Sequence, residues 1–247
     1  MHSFHIPVMG LAYTIDSPIR VAQYGISSVI SIIDDEIIEK MNRLYHQRNN
    51  FSYTEISNKV EDYRAKRITA YLDMVHEVVH QKFITFKQEL SKSKEALQQF
   101  IDMLPNQSDI KKGLEIFSEQ KENFTENVLK FLENHLSPGS IDVNVMTKVD
   151  KDNFVNGAQL PVIYNDAHVS LRGFANSKLS SSIVLSAGMN PRLYSYFESF
   201  PDFFPNEKGE LKKKIILKVS DFRSAMIQGN FFAKKGIWVS EYRVESG

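Results

Sequence analysis

The chain has 247 residues, 42% hydrophobic and 24% charged, enough for one α/β barrel or two small domains. Thirty basic and thirty acidic side chains cancel, which argues against nucleic-acid binding driven by bulk charge. With no cysteine, the chain itself has no disulfide, thiolate-bound zinc, iron–sulfur cluster or thiol nucleophile.

Residues 4–10 are expected to form a short strand ending in a glycine turn. Their flanks lack the basic and long apolar stretches of a signal peptide, and no run of about 18 apolar residues follows anywhere. A cytoplasmic protein is the expectation, without nucleic-acid or membrane partners. Asp16-Ser17-Pro18 opens a helix, with Pro in the first turn, and Gly25 closes it. The β-branched run 26–33 reads as a second strand, and Asp34-Asp35-Glu36 opens the next helix.

From about residue 34 to 138 glycine and proline are scarce. Tyr63, Tyr71, Val75, Val78, Phe83, Phe86 and Leu90 recur at helical intervals on a charged segment, and further helices are expected over 95–104, 110–117 and 124–136. One crossover needs far less chain, so residues 35–138 read as an inserted helical subdomain. Strands then alternate with helices again: a strand over 141–147, a loop rich in Asp, Asn and Gly, and a helix over 165–176. A fourth strand at 182–188, a fifth near Ile215, a helix over 221–235 and a sixth strand at 237–244 complete the pattern. The segments Val21-Ala22-Gln23-Tyr24-Gly25-Ile26 and Phe232-Ala233-Lys234-Lys235-Gly236-Ile237 repeat one helix-end, glycine, strand-start joint.

Strand–crossover–strand alternation specifies an α/β fold with parallel strands. About six strands are expected where a complete barrel has eight. The chain therefore reads as an incomplete (β/α)8 TIM barrel, with strands one and two in residues 1–34, the helical insertion in 35–138 and strands three to six in 139–247. An open doubly wound sheet is the alternative.

In such folds ligands sit at the carboxyl ends of the strands. Polar residues recur there: Thr14, Asp16, Asp34, Asp35, Asn144, Thr147, Lys148, Ser186, Asn190, Lys218, Ser220, Asp221, Arg243 and Glu245. Lys218 stands inside Ile-Ile-Leu-Lys-Val, where a dry ammonium needs a partner. It is either a cation at the mouth of the site, holding an anion or an electron-rich ring, or one half of a Lys–Glu ion pair, or a lysine that simply ends the strand in solvent. Asp16, Asp34 and Asp221 stand where helix N-caps belong. His76-Glu77-Val78-Val79-His80 matches the zinc-protease helix motif, but Asp73 and Lys82 flank it with charge and no further histidine follows at the spacing such sites use, so no metal site is expected. His168 would stand in the first turn of a helix, a position more often structural than functional. Glycine-rich phosphate fingerprints are missing. The aromatic cluster Tyr194, Tyr196, Phe197, Phe200, Phe203 and Phe204 lacks a basic stripe and reads as packing.

The opening Ile6-Pro7-Val8-Met9-Gly10, followed by Val21-Ala22-Gln23-Tyr24-Gly25-Ile26-Ser27-Ser28-Val29, resembles the start of flavin-dependent TIM barrels of the nitronate monooxygenase and enoyl-reductase type. The resemblance implies an FMN-dependent oxidoreductase acting on a small-molecule substrate. It implies that Met9 and Gly10 contact the flavin, with Asn144, Ser186 and Asn190 as further cofactor contacts. Lys218 or Lys148 would face the N1/O2 edge of the ring and Glu245 would join them as a catalytic candidate. In that group the sixth strand runs into a Gly-Gly-His segment bearing the base, whereas this sequence stops at Glu245-Ser246-Gly247, which reads as the N-terminal part of a longer protein. Arg172-Gly173-Phe174-Ala175-Asn176-Ser177, Ser186-Ala187-Gly188-Met189-Asn190-Pro191-Arg192 and the segment from Lys214 to Asp221 resemble, over essentially the whole chain, an uncharacterised Bacteroidetes-like family of aldolase-type barrels. A non-flavin barrel enzyme with Lys218 as Schiff-base nucleophile, and a non-enzymatic protein binding through its helical insertion, are the alternatives.

Overall fold

Five parallel strands form one sheet whose order in space is their order in the chain. The structure, a computed structural model, describes residues 14–32, 34–119, 122–145 and 150–245. The expected first strand, with Met9 and Gly10, and Lys148 lie outside the described residues.

A short helix α1 (Ser17–Val21) and a 3-10 turn end at Gly25, whose φ of 80° closes the segment in the left-handed region. Strand β1 (Ser28–Ile32) follows, then α2 (Asp35–Arg48) and the long α3 (Tyr63–Lys92). Helices α4 (Lys94–Met103), α5 (Asp109–Ser118) and α6 (Phe124–His135) precede β2 (Ile141–Val145). A two-stranded hairpin, β3 (Phe154–Val155) and β4 (Ala158–Gln159), stands apart from the main sheet. The chain continues through α7 (Asp166–Ala175), β5 (Ser182–Leu185), α8 (Pro191–Tyr196), β6 (Lys214–Val219), α9 (Phe222–Ala233) and β7 (Glu241–Val244). The main sheet runs β1-β2-β5-β6-β7.

The register fixes which residues share a face, because side chains alternate along each strand. Ile30, Val143, Ile183 and Ile215 form one row, and Ile32, Val145, Leu185 and Leu217 the next. All eight belong to the main core, with Ile38 of α2, Leu72 of α3, Phe174 of α7, Tyr194 of α8 and Phe232 of α9. The opposite face carries Ser31, Asn144, Val184 and Ile216 in one row. These four and Val29 are at most 3% exposed, yet Val29, Val184 and Ile216 stand outside the helix-packed core. Over β1, β2, β5 and β6 the described helices therefore cover one face of the sheet and the other face is largely buried and partly polar, whereas most of β7 is exposed.

Helix α3 serves two cores. Ala65 through Val79 pack in the main core, while Phe83 and Leu90 join a second one with Leu97, Phe100 and Ile101 of α4, Leu114 of α5 and Val128 and Leu132 of α6. Helices α4 to α6 thus pack around the far end of α3, whereas α2 belongs with the sheet. Against α7, α3 packs backbone to backbone: a Cβ built on Gly173 would lie 2.5 Å from Ile68 Cγ2 and 3.1 Å from the Ala65 carbonyl.

Two of the three caps expected from the sequence are made, those of Asp34 and Asp221. The Asp34 carboxylate accepts from the amides of Glu36 and Ile37, and that of Asp221 from Ser224. Asp16 differs from the expected cap. Its carboxylate takes no cap hydrogen bond and instead pairs with Arg20 and accepts from the Tyr45 hydroxyl at 2.7 Å. Burial, with the Asp16 carboxylate adding to it, pushes the Tyr45 hydroxyl up to about 12.

Candidate functional site at the carboxyl ends of the strands

Lys218 is the penultimate residue of β6, and its Nζ lies 3.0 Å from Glu245 Oε1, one residue past the end of β7. The Glu245 amide continues the ladder by donating to the Val219 carbonyl at 2.9 Å. Lys218 is two residues beyond Ile216, so it continues the face that the described helices leave uncovered. Its carboxylate partner is half exposed, whereas the lysine side chain is only 17% exposed. The Lys218–Glu245 ion pair is thus present, and it stands at a strand end.

Asn144 lies on the same face, 2% exposed, and its Nδ2 approaches Ser31 Oγ across the β1–β2 pair at 3.4 Å. Ser186, one residue past β5, donates to the Val145 carbonyl at 3.2 Å. Asn190 engages both ends of its amide within the protein: Oδ1 caps α8 by accepting from Leu193 at 3.1 Å, and Nδ2 donates to Asp150 Oδ2 at 3.0 Å. That leaves it as a positioning residue for Asp150.

Asp150 is the residue that the sequence did not single out. It sits in the loop after β2, and Oδ1 accepts from the Ala167 amide in the first turn of α7 at 3.0 Å. Oδ2 also lies 3.3 Å from Nδ1 of His168. Burial works to raise the Asp150 carboxyl, but the contact with His168 and the bonds from Asn190 and Ala167 outweigh it and hold it below the usual carboxylate value. His168 is 2% exposed and packs against the Tyr196 ring with centroids 5.4 Å apart. A carboxylate beside Nδ1 favours the tautomer with its proton there, leaving Nε2 as the proton acceptor.

A network of charges closes the same end of the fold. Arg64 bridges Asp35 at 3.0 Å and Asp166 at 2.7 Å, and Arg67 reaches Asp35 at 2.9 Å. Asn153 donates to the Tyr164 carbonyl at 2.9 Å and to Asp166 at 3.2 Å. These bonds tie the loop after β1, the start of α3 and the loop 150–166 to the start of α7. Elsewhere His76 is half-buried and His80 exposed on α3, and no group of three or more metal-ligating side chains occurs among the described residues. None of the described helices is long and apolar enough to cross a membrane.

No protein-family model, curated protein or solved structure matches the chain. The donor set of the site is a lysine cation, an amide and a hydroxyl at strand ends, with an imidazole–carboxylate pair at the neighbouring joint. Such a set suits an electron-rich, hydrogen-bonding ligand.

Proposed function

We propose that the chain supplies the first strands of a (β/α)8 barrel of the FMN-dependent oxidoreductase type, acting on a small-molecule substrate. The observation that carries this reading is the two-faced sheet. In a doubly wound sheet helices cover both faces and the strand order reverses at a switch point. Here the five strands keep sequential order, the described helices cover one face, and over β1, β2, β5 and β6 the other is largely buried, with Ser31, Asn144 and the partly buried Lys218 along it. A barrel interior has that character.

When bound at the strand ends, FMN supplies a two-electron acceptor for a substrate carbon. Lys218 would hold positive charge at the site, with Glu245 as its counter-ion. Asn144 and Ser186 would offer hydrogen bonds from β2 and the end of β5. His168, oriented by Asp150, would hold or accept a proton. The roles of Met9, Gly10 and Lys148 rest on the family resemblance alone.

Titration of the purified chain with FMN, followed by quenching of flavin fluorescence, tests the proposal. Weak quenching is expected, because the loops that hold the phosphate in such barrels follow the last strands, and Lys218→Met should weaken it further, about tenfold or more, through loss of a charge-assisted contact. Absence of binding, together with a covalent lysine adduct on borohydride treatment with carbonyl compounds, would replace it by the Schiff-base reading.

A further inference from the structure

A cavity of about 520 Å³ lies where α3 meets α4, beside the segment that leads from the 3-10 turn into β1. Its volume falls within the range that small-molecule sites occupy. Tyr24 and Ile26 line it and precede β1, so it lies toward the amino ends of the strands, away from Lys218 and Glu245. Phe86 and Leu90 contribute from α3, and Ala96, Phe100 and Met103 from α4. Residues at i, i+4 and i+7 share one helix face, so each helix turns an apolar stripe into the same space. Leu90 and Phe100 are both 1% exposed within the second core, whereas Met103 is 57% exposed. The cavity thus runs from that core out to solvent. Its aromatic wall is already in place: the Phe86 ring stands edge-on to the rings of Tyr24 and Phe100, at interplanar angles of 85° and 84°. Rings held in this way lose little freedom when a ligand packs on them.

The polar part of the lining is Tyr24, Glu89 and Gln99. The Tyr24 hydroxyl, the Glu89 carboxylate and the Gln99 side-chain amide make no hydrogen bond or ion pair among the described residues. Glu89 and Gln99 are exposed, so a molecule in the cavity can reach their polar ends. Glu89 is the one charged side chain among the described lining residues, and it is an anion. The electron-rich faces of the tyrosine and phenylalanine rings attract a cation as well. An apolar body with a positive charge at one end therefore complements the lining.

We propose that this cavity binds a hydrophobic primary amine of the arylalkyl type, its ring between the two apolar stripes and its ammonium at Glu89. The Gln99 carbonyl oxygen and the Tyr24 hydroxyl are further acceptors, and an ammonium has three N–H donors to offer them.

Isothermal titration calorimetry of the intact chain at neutral pH, with phenethylamine and tryptamine and with the alcohol and carboxylate analogue of each, tests the assignment. At least one amine should bind, about tenfold or more tightly than its alcohol, and its carboxylate analogue should bind more weakly still. Glu89→Gln changes an exposed residue and should leave the melting temperature unchanged. It should weaken the amine about tenfold, to near the affinity of the alcohol, and leave the alcohol unaffected. With the amine bound, hydrogen exchange should slow in α4 and the last turns of α3, the elements that form the site. Failure of both amines to bind, an alcohol or carboxylate that binds as tightly, an amine indifferent to Glu89→Gln, or slowed exchange confined to other elements would each overturn the assignment. So would a dimer in sedimentation that Met103→Lys dissolves, which would give the cavity to a second copy of the chain.

Discussion

Lys213 is 0% exposed, and its Nζ donates to the backbone carbonyls of Phe174, Ser177 and Leu179 at 3.0, 2.9 and 2.8 Å. It also lies 4.5 Å from the centroid of the Phe174 ring. The lysine thus gathers the carbonyls at and beyond the C-terminal end of α7, where a cation also meets the negative end of the helix dipole. Burial pushes the ammonium down to about 8, with Asp202 and Asp73 opposing it and Lys212 adding to it. Below about pH 8 both folded and unfolded chains carry the proton and the full cost of burying it is present. Between about 8 and the ordinary lysine value of 10.5 only the unfolded chain keeps the proton, so stability rises with pH across that window. The three carbonyl bonds favour the charged form and limit the rise to about 3 kcal/mol. Urea unfolding at pH 7.5 and 9.5 should show this rise. Lys213→Met should abolish it and lower stability at pH 7.5 by about 2–4 kcal/mol, since it strands buried carbonyls. A pH-independent wild-type midpoint would contradict the account.

Gly173 shows the same logic at the scale of an element. A glycine inside a helix costs about 1 kcal/mol relative to alanine, so its place in α7 calls for a packing reason. That reason is the contact with α3, where Ile68 and the Ala65 carbonyl fill the space a side chain would need, and where Thr69 Oγ1 donates to the Gly173 carbonyl at 2.9 Å. Gly173→Ala is expected to destabilise the fold by about 2–3 kcal/mol despite its better helix propensity. Ile68→Val in the same chain should recover part of that loss, giving a non-additive double-mutant cycle in thermal melts. Additive effects would show that the two helices do not touch there. Such contacts are not legible in sequence, because Gly173 looks like any helix-weakening residue until α3 is laid across it. The strands were legible for the converse reason: Ile141-Asp142-Val143-Asn144-Val145 and Lys214-Ile215-Ile216-Leu217-Lys218-Val219 carry local β preference that their buried positions reinforce. The β3–β4 hairpin is not legible by strand pattern, although Asn156-Gly157 carries the φ values of 51° and 80° that a tight hairpin turn requires. Its two-residue strands are too short to show alternation. At the site, Lys218 announced itself by interrupting an apolar run. Asp150 and His168 meet only through the fold.

At the scale of the molecule, α3 is the member shared by two cores, and stability should not be uniform along it. The main core is tied to the four ladders of the five-stranded sheet, α2, α7, α8 and α9, whereas the second core rests on α4, α5, α6 and the far half of α3. Contacts across the two are confined largely to α3 and the 3-10 turn after α1, where Tyr24 meets Phe86 edge-on at 5.1 Å and Phe86 meets Phe100 at 5.2 Å. A unit joined to its neighbour along one helix can open without carrying the rest of the fold with it. Leu97 is the place to test this, since it is 0% exposed at the centre of the second core and far from the strand ends. Leu97→Ala should cost that core about 2–5 kcal/mol through lost burial and the cavity left behind. Hydrogen exchange should then show faster exchange through α4, α5, α6 and the last turns of α3, while the amides of β2, β5 and β6 keep wild-type protection. The charge network at the strand ends, including Arg64 with Asp35 and Asp166, should survive as well, because its anchors all lie in the main core half. If instead protection fell equally in the strand ladders and in α4 to α6, the two cores would be one cooperative unit, and α3 would transmit rather than divide their stability.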